Sequence, residues 1–257
     1  MARQWLFVRL YGTAGVPTTV PPALPRLARY VESADPGACF FFSRVDEPAG
    51  PSVELWIDSV ADVHSIALDR LRSEAPAWSL AVERDLPRPA HPDGTGRDVL
   101  DELAAVSTAF ALAQSPDGRP DPEEAFRLGV SHLRGLIALL PEATRTGFLF
   151  QCWQSWSAGL SARQREDLAV EANVRADTVA DTPSQARRAY LDGTRRAVRR
   201  EPRDGLPEPY LLFHQAGATH DRLGVPLDRG AAAALTVRDE LAERAVPVPT
   251  VSFGGQV

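Results

Sequence analysis

The spacing of hydrophobic and polar residues changes along the chain and divides it into two parts. Up to residue 86, four segments are predicted as strands, one of them, Ser52–Asp58, by clear alternation of Val53, Leu55 and Ile57 with Glu54, Trp56 and Asp58, and two segments show helical spacing. The predicted strands are Gln4–Tyr11, Cys39–Val45, Ser52–Asp58 and Trp78–Arg84, and the predicted helices are Leu24–Glu32 and Val60–Glu74. The resulting β-α-β-β-α-β order is that of a ferredoxin-like unit.

Beyond residue 96 the apolar spacing is helical, and no further strand is predicted. The predicted helices are Arg97–Ala113, Pro122–Leu140, Thr146–Leu160, Ala162–Asn173, Ser184–Arg200 and Arg229–Ala245. A stretch rich in proline and glycine, 87–96, predicts a linker between an α/β half at 1–86 and a helical half at 97–257. Strands followed by helices predict an α+β fold, in which a ferredoxin-like half packs on an all-helical half as one unit.

Composition and charge exclude several functions. The chain of 257 residues has no lysine, which rules out a Schiff-base or P-loop lysine, and its formal net charge of −6 argues against nucleic-acid binding. Cys39 and Cys152 form neither a disulfide framework nor a zinc motif, so we expect no metal and no cofactor. No apolar run approaches the roughly 20 residues of a membrane span, and no signal-peptide pattern is present. We therefore expect a cytoplasmic protein.

The histidines are dispersed along the chain. His64 and His132 lie singly on predicted amphipathic helices, and we expect both to be structural. His91 falls in the predicted linker. His214 and His220 are six residues apart, which would place them on opposite faces of a helix and does not suit a metal-binding pair.

The segment 148–160 carries more polar and aromatic groups than a plain core helix requires. Trp153 and Trp156 are three residues apart and share a helix face, and Gln151, Ser155 and Ser157 lie near them in the sequence. A buried indole N–H or amide needs a hydrogen-bond partner, so this composition indicates a surface that binds substrate. An aromatic core stripe is the alternative interpretation.

The segment 208–226 concentrates titratable and polar groups, which are Tyr210, His214, Gln215, Thr219, His220, Asp221 and Arg222. Gly217 and Gly224 are expected to break the local structure. Such a group among apolar neighbours is what an acid–base site requires. The alternative is a structural helix and turn in which Thr219 or Asp221 caps the turn.

The stretch 184–203 is rich in arginine. It has seven arginines against Asp192 and Glu201, which gives a local charge of +5 in a chain of −6. Guanidinium groups suit carboxylates, so this stretch is a candidate docking surface for an acidic peptide. A solvated helix face is the alternative.

Three stretches resemble the thiopeptide-type biosynthesis family, the relatives of the C-terminal elimination domain of lantibiotic dehydratases. They are WLFVRLYG at 5–12, FFFSRVDEPAGPSVELWID at 40–58 and YLLFHQAGATHDRLGVP at 210–226. The chain departs from the family pattern at Val45, where tyrosine is usual, and at Asp221, where asparagine is expected. Glu54-Leu55-Trp56 replaces an Arg-x-Arg sequence of the elimination domains. The loss of those arginines favours the pyridine synthase branch of the family.

The resemblance implies a formal aza-[4+2] cycloaddition of two dehydroalanines in a ribosomally made precursor peptide. Dehydration and loss of the leader peptide then give the pyridine core of a thiopeptide macrocycle. The implied partner is the precursor peptide with its leader, and a homodimer is left open. Two alternatives remain, which are elimination of glutamate from glutamylated Ser or Thr and a non-catalytic module that binds the leader.

For that chemistry, candidate residues are assigned from the segments described above. The expected catalytic residues are Ser155, Ser157, Tyr190 and His214. The expected substrate-binding residues are Gln151, Trp153, Trp156, Tyr210, Thr219, His220 and Arg222. Arg195 and Arg199 are expected to bind the leader. We also expect that the segments 148–160 and 208–226 face each other across a pocket.

Overall fold

A computed structural model of the chain describes residues 3–12, 20–47, 50–84, 97–114, 120–175, 184–199 and 206–245. The predicted linker 87–96, with His91, lies outside these described residues. The fold is α+β, as predicted, because strands occur near the N-terminus and helices follow them.

The N-terminal elements follow the predicted order. They are β1 (Gln4–Gly12), α1 (Leu24–Ala34), β2 (Cys39–Glu47), β3 (Gly50–Ser59), α2 (Ala61–Glu74) and β4 (Trp78–Arg84). The strands form one antiparallel sheet in the order β2-β3-β1-β4, with Phe41 of β2 opposite Trp56 of β3. This order confirms the predicted ferredoxin-like arrangement.

The remaining described elements are helical. They are α3 (Arg97–Gln114), α4 (Pro122–Ile137), α5 (Glu142–Trp156), α6 (Ala162–Arg175), α7 (Gln185–Arg199), α8 (Glu208–Leu223) and α9 (Leu227–Ala245). Helix α4 begins where its acidic start predicts, since the Asp121 side chain accepts from the Glu124 backbone N–H at 2.8 Å. Helix α5 begins at Glu142 rather than at the predicted Thr146.

The segment 208–223 is one continuous helix, which the sequence did not predict. Gly217 was expected to break it, but it lies inside α8, where a Cβ would make only an ordinary contact, 3.6 Å from Trp156 Nε1. Gly224 does end the helix, with a left-handed φ of 73° that favours glycine. The predicted break at Gly217 is therefore wrong, and the one at Gly224 is confirmed.

Both faces of the sheet are apolar, but they pack differently. Leu6 and Val8 of β1 are fully buried, in the same core as residues of α1 and α2. On the opposite face Phe7 packs on Trp56, with ring centroids 4.4 Å apart, in an aromatic cluster that reaches Ala104 of α3. Alternate residues of one strand thus face two different sets of helices.

Strand β2 lies at an edge of the sheet and joins the two halves. The Phe42 N–H donates to Thr108 Oγ1 of α3 at 3.2 Å, and the Phe42 carbonyl accepts from Arg222 Nε of α8 at 2.6 Å. The Arg44 N–H donates to Asp221 Oδ2 at 3.1 Å. An open edge strand is a template for pairing with another chain. Here side chains of α3 and α8 bond that edge and fix α8 against the sheet.

Helix α9 lies at the centre of the helical half. Its residues Ala231–Ala234 are all 0% exposed, and it contacts α4, α5 and α6. Small side chains allow neighbouring helices to approach closely. None of the helices in the described ranges combines the length and the apolar character needed to cross a membrane.

Candidate functional site

Helix α8 carries much of the predicted site and presents its residues in two directions. Tyr210 and His214 are exposed and one turn apart, with ring centroids 4.3 Å apart. Thr219 and His220 are buried, with exposed fractions of 0% and 3%. The prediction that His214 and His220 occupy opposite faces is confirmed. Helix α8 therefore connects the surface of the molecule with its interior.

A chain of hydrogen bonds inside the helical half links α3, α4, α7 and α8. His132 Nε2 lies 2.8 Å from Tyr190 Oη, which in turn lies 3.0 Å from Thr219 Oγ1. The Thr219 hydroxyl donates to the backbone carbonyl of Gln215 at 2.7 Å. The Gln215 side chain donates through Nε2 to the Leu103 carbonyl at 3.1 Å.

The positions of the hydrogens between His132, Tyr190 and Thr219 follow from the Gln215 backbone carbonyl, which can only accept. The Gln215 carbonyl takes the single hydrogen of the Thr219 hydroxyl, so Thr219 accepts from Tyr190. Tyr190 then accepts from His132, which must hold its proton on Nε2. His132 Nδ1 is left as an acceptor, and it has no hydrogen-bond partner within the described part of the chain.

Burial keeps the side chains in this series of hydrogen bonds uncharged. Tyr190 is 1% exposed, and burial raises the pKa of its hydroxyl to about 12. Burial, and to a smaller extent the charges of His220 and Arg187, hold the pKa of His132 well below its usual range. At neutral pH the side chains in this series of hydrogen bonds are neutral, and the bonds fix α8 against α4 and α7.

His220 lies beside this chain in a narrow slot. Its ring centroid is 5.1 Å from that of His132 and 4.9 Å from that of Trp156. A Cβ on Gly230 of α9 would lie 2.8 Å from His220 Nδ1, so glycine is needed there for the close approach. Burial lowers the pKa of His220 to about 4, against the opposing effect of a hydrogen bond with the Gly129 backbone.

Arg222 is buried at the junction of α8 and the sheet. It donates through Nε to the Phe42 carbonyl at 2.6 Å and through Nη1 to the Ala218 carbonyl at 3.1 Å. Burial lowers its pKa to about 10, although the neighbouring Asp221 and Tyr190 oppose this. The geometry thus gives Arg222, predicted to bind substrate, a role in holding the two halves together.

Trp156 is the contact between α5 and α8. Its ring stacks on Phe213 with centroids 6.4 Å apart, and Trp153 one turn earlier is half-buried. Gln151 and Ser155 are exposed on α5. The segments 148–160 and 208–226 therefore touch, but the pocket expected between them stays a prediction.

The predicted catalytic residues do not form one cluster. Tyr190 lies in the interior, whereas Ser155 and His214 lie on the surface of α5 and α8. Ser157 is buried just after α5, and its Oγ has no hydrogen-bond partner among the residues described. Three of the four predicted catalytic residues thus lie on α5 and α8 or just after α5, and the fourth, Tyr190, lies in the interior.

The sequence predicts a structural role for His132 but does not predict its hydrogen bond to Tyr190. His132 lies on α4 among apolar residues such as Val130 and Leu133, both 0% exposed. A buried imidazole needs a polar partner, so a histidine among apolar residues indicates that such a partner exists. The partner is 58 residues away in sequence, so spacing did not reveal it.

The arginine-rich stretch does border a cleft. Arg195, Arg196 and Arg199 of α7 line a cleft of about 530 Å³ with Glu102 of α3. Arg195 also pairs with Asp192 at 2.9 Å, an exposed pair of the kind that contributes little. Three arginines and one glutamate leave the lining with an excess of positive charge. Whether a leader peptide binds there stays a prediction.

No group of three or more His, Cys, Asp or Glu side chains suited to a metal ion occurs among the residues that the structure describes.

Solved structures that share this fold include a lantibiotic dehydratase and a pyridine synthase. The tRNA dependent lantibiotic dehydratase MibB from Microbispora sp. 107891 is 15% identical to this chain, with a TM-score of 0.58. The match covers 95% of this chain and 29% of the dehydratase chain. The pyridine synthase TbtD from thiomuracin biosynthesis is 16% identical to this chain, with a TM-score of 0.58. The match covers 93% of this chain and 98% of the synthase chain. The chain thus spans less than a third of the dehydratase.

No protein-family model matches the chain, and no curated protein is significantly similar to it. At these identities the two structures establish a shared fold. The resemblance to the thiopeptide-type biosynthesis family is confirmed at that level.

Proposed function

We propose that the protein is a pyridine synthase acting on a ribosomally made precursor peptide that carries two dehydroalanines. The observation that carries this proposal is the fold shared with the pyridine synthase TbtD over 98% of that enzyme. The hairpin adds support, because Glu54 stands where the elimination domains are expected to have arginine, and its carboxylate pairs with Arg9. A pocket for a free glutamyl carboxylate would need unpaired cations at that place.

The proposed reaction needs proton transfer and positioning. An amide beside one dehydroalanine loses its N–H proton and gains one on oxygen, which gives a 2-azadiene. The alkene of the second dehydroalanine adds across its ends, and two C–C bonds form. Water leaves with the former amide oxygen, the leader leaves as its carboxamide, and the ring becomes aromatic. Holding both alkenes in near-attack geometry supplies about 7–11 kcal/mol of the barrier.

Exposure divides the proposed roles between the surface and the interior. Ser155 and His214 are exposed on α5 and α8, so they are the groups proposed to contact the peptide and move its protons. Tyr190 is enclosed, so it is proposed as a positioning residue, which holds α8 through Thr219. Ser157, buried beside these helices, is proposed to orient the end of α5.

Recognition of the leader is proposed for the cleft beside α7. Arg195 and Arg199 offer guanidinium groups at its edge, and these suit the carboxylates of an acidic leader. The chain as a whole carries −6, so attraction of an acidic peptide depends on this local positive surface.

The test is to incubate the purified protein with a bis-dehydroalanine precursor and to follow the masses. The proposal expects a product that has lost water, together with the leader as its carboxamide. The match to the dehydratase favours one second candidate, glutamate elimination, which predicts loss of glutamate from a glutamylated precursor and no leader release. That result, without change of the bis-dehydroalanine peptide, would overturn the proposal. Binding without any mass change would indicate a leader-binding module.

A further inference from the structure

We propose that strand β4, at the edge of the sheet opposite β2, pairs with β4 of a second copy of this chain. Strand β4 (Trp78–Arg84) is the last strand of the four-stranded sheet and is paired with β1 on one side. In the proposed dimer the two β4 strands run antiparallel about a twofold axis, and the two sheets join into one. The inference goes beyond the proposed function and does not depend on it.

The backbone of β4 carries hydrogen-bonding groups that β1 does not use. In an antiparallel strand alternate residues direct their N–H and C=O groups towards opposite neighbours, so about half of these groups in β4 point away from β1. At the start of the strand the Trp78 N–H donates to the Ala75 carbonyl at 3.0 Å. The other outward groups have no partner in the part of the chain that the structure describes.

The two edges of the sheet differ in how they are covered. At β2, side chains of α3 and α8 bond with the backbone of Phe42 and Arg44. Proteins also protect an open edge by placing proline or charged residues along it. The first five residues of β4 are Trp-Ser-Leu-Ala-Val, with neither a proline nor a charge. Nothing in this stretch opposes pairing with another strand.

The side chains of β4 suit a neighbouring strand on both faces of the sheet. Leu80 and Val82 are half-buried and pack against the core that contains residues of α1 and α2. Ser79 and Ala81 are exposed on the other face. A further strand would cover the remaining apolar surface of Leu80 and Val82, and on the other face it would meet only small side chains.

The chemistry of this edge favours a second copy of the chain over the acidic leader as its partner. Recognition of the leader is proposed to depend on arginines, whereas the stretch 78–82 carries no positive charge. A strand that pairs here needs a free edge of its own and few charges, and β4 itself meets both conditions. Because a twofold contact uses the same patch on both copies, no other strand is required.

A register centred on Ala81 fits the sequence of β4. Ala81 is the midpoint of the strand, so pairing about it uses the whole strand. Leu80 then lies opposite Val82 of the second copy, and by symmetry this apolar pair occurs twice. Glu83 lies opposite Ser79, so the register brings no like charges together.

The test is sedimentation velocity of the full chain over a range of protein concentrations. We expect the mean sedimentation coefficient to rise with concentration as a reversible dimer forms. In Ala81→Lys two lysines lie opposite each other across the twofold axis, so the dissociation constant of the dimer should rise about tenfold or more. Ala81→Glu should weaken the dimer in the same way. Ala81 is exposed, so neither substitution changes the core.

Two further measurements separate this effect from misfolding. A mixture of Ala81→Lys and Ala81→Glu places lysine opposite glutamate and should form a mixed dimer, which misfolded chains would not do. The matched control is Ser79→Lys, which adds the same charge to the same face of β4 at another exposed position. There the lysine lies opposite Glu83 of the second copy, so the dimer should be retained or strengthened.

Three results would overturn the inference. The first is a wild-type chain that stays monomeric over the whole range of concentrations. The second is a dimer that Ala81→Lys leaves unchanged, because its contact would then lie elsewhere, and the third is a mixture of the two Ala81 variants that does not associate. Monomers whose affinity for the leader rises in Ala81→Lys and falls in Ala81→Glu would assign this edge to the leader instead.

Discussion

The hydroxyl of Tyr190 is the centre of the buried hydrogen-bond chain, since it accepts from His132 and donates to Thr219. In Tyr190→Phe the His132 Nε2–H loses its acceptor in an apolar interior, which costs about 1–3 kcal/mol for a buried donor. We expect urea unfolding to show a loss of this size. Because α8 is then held less firmly, turnover of the bis-dehydroalanine peptide should fall about tenfold or more, while leader affinity is retained.

Tyr30→Phe is the matched control for that substitution. The Tyr30 ring packs against the Arg70 guanidinium on the α1–α2 side, 4.5 Å from centroid to Cζ. Its hydroxyl makes no hydrogen bond within the described ranges, so its removal should change the free energy of unfolding by less than about 0.5 kcal/mol. Equal losses in the two variants would mean that the Tyr190 hydroxyl has no special role.

The buried imidazole of His220 makes stability depend on pH. Its folded-state pKa is about 4, whereas the unfolded chain takes up the proton below about pH 6.5. The unfolded state therefore binds more protons in this window, and stability is lost as the pH falls from about 6.5 towards 4. At pH 5 the loss relative to pH 7 is expected to be about 2 kcal/mol from this group.

Denaturant titrations at pH 7 and pH 5 check this dependence. His132, whose pKa is also lowered by burial, contributes with the same sign. The variant His214→Gln should keep the dependence, because the imidazole it removes is exposed. A free energy of unfolding that stays constant between these pH values would contradict a neutral buried His220.

The sequence predicts only in part which residues lie on the surface and which lie in the interior. The six-residue spacing of His214 and His220 was enough to place them on opposite faces, because helix geometry is local. The partner of His132 was not predictable in this way, since it depends on how α4 and α7 pack. The same holds for Arg222, whose acceptor Phe42 is 180 residues away.

At the scale of helices, close packing around His220 depends on Gly230 of α9. In Gly230→Ala the new Cβ would lie 2.8 Å from His220 Nδ1 and 3.3 Å from Trp156 Cε3, so the rings or the helix must shift. We expect a loss of about 1–3 kcal/mol by overpacking, against the better helix propensity of alanine. Urea unfolding of the variant measures it.

Gly147→Ala in α5 is the control for this overpacking. A Cβ at Gly147 meets nothing within 4 Å, so only helix propensity changes. Its stability should rise by up to about 1 kcal/mol. A loss of stability in Gly147→Ala, or a gain in Gly230→Ala, would contradict the proposed slot.

The strands near the N-terminus could be predicted from the sequence, and α8 shows where such prediction ends. These strands are rich in apolar and aromatic residues because side chains on both faces of the sheet are packed. In α8 the dense polar residues and Gly217 suggest a break, yet the helix continues to Leu223. A glycine inside a helix costs only about 1 kcal/mol relative to alanine, and Leu211, Leu212 and Ala216 of α8 are buried in the core, so packing against other elements outweighs the local signal.

At the scale of the whole molecule, the distribution of charge decides where the proposed acidic leader would bind. The chain carries −6 in total, while the stretch 184–203 carries +5, and Arg195 and Arg199 border a cleft. The double reversal Arg195→Glu/Arg199→Glu takes the net charge from −6 to −10 and inverts the charge of that rim. We expect leader affinity to fall about tenfold or more, because unlike charges are replaced by like charges at the proposed docking surface.

The control reversal Arg29→Glu/Arg163→Glu gives the same net charge of −10, since each reversal changes the charge by two, but places it away from the cleft. Fluorescence anisotropy with the leader peptide should show near wild-type affinity for this control at ordinary salt. There the screening length is about 10 Å, so distant charges have little effect.

Wild-type affinity should itself fall as salt is raised. Equal weakening in both reversals would assign the effect to net charge, and no weakening in either would leave Arg195 and Arg199 as a solvated face.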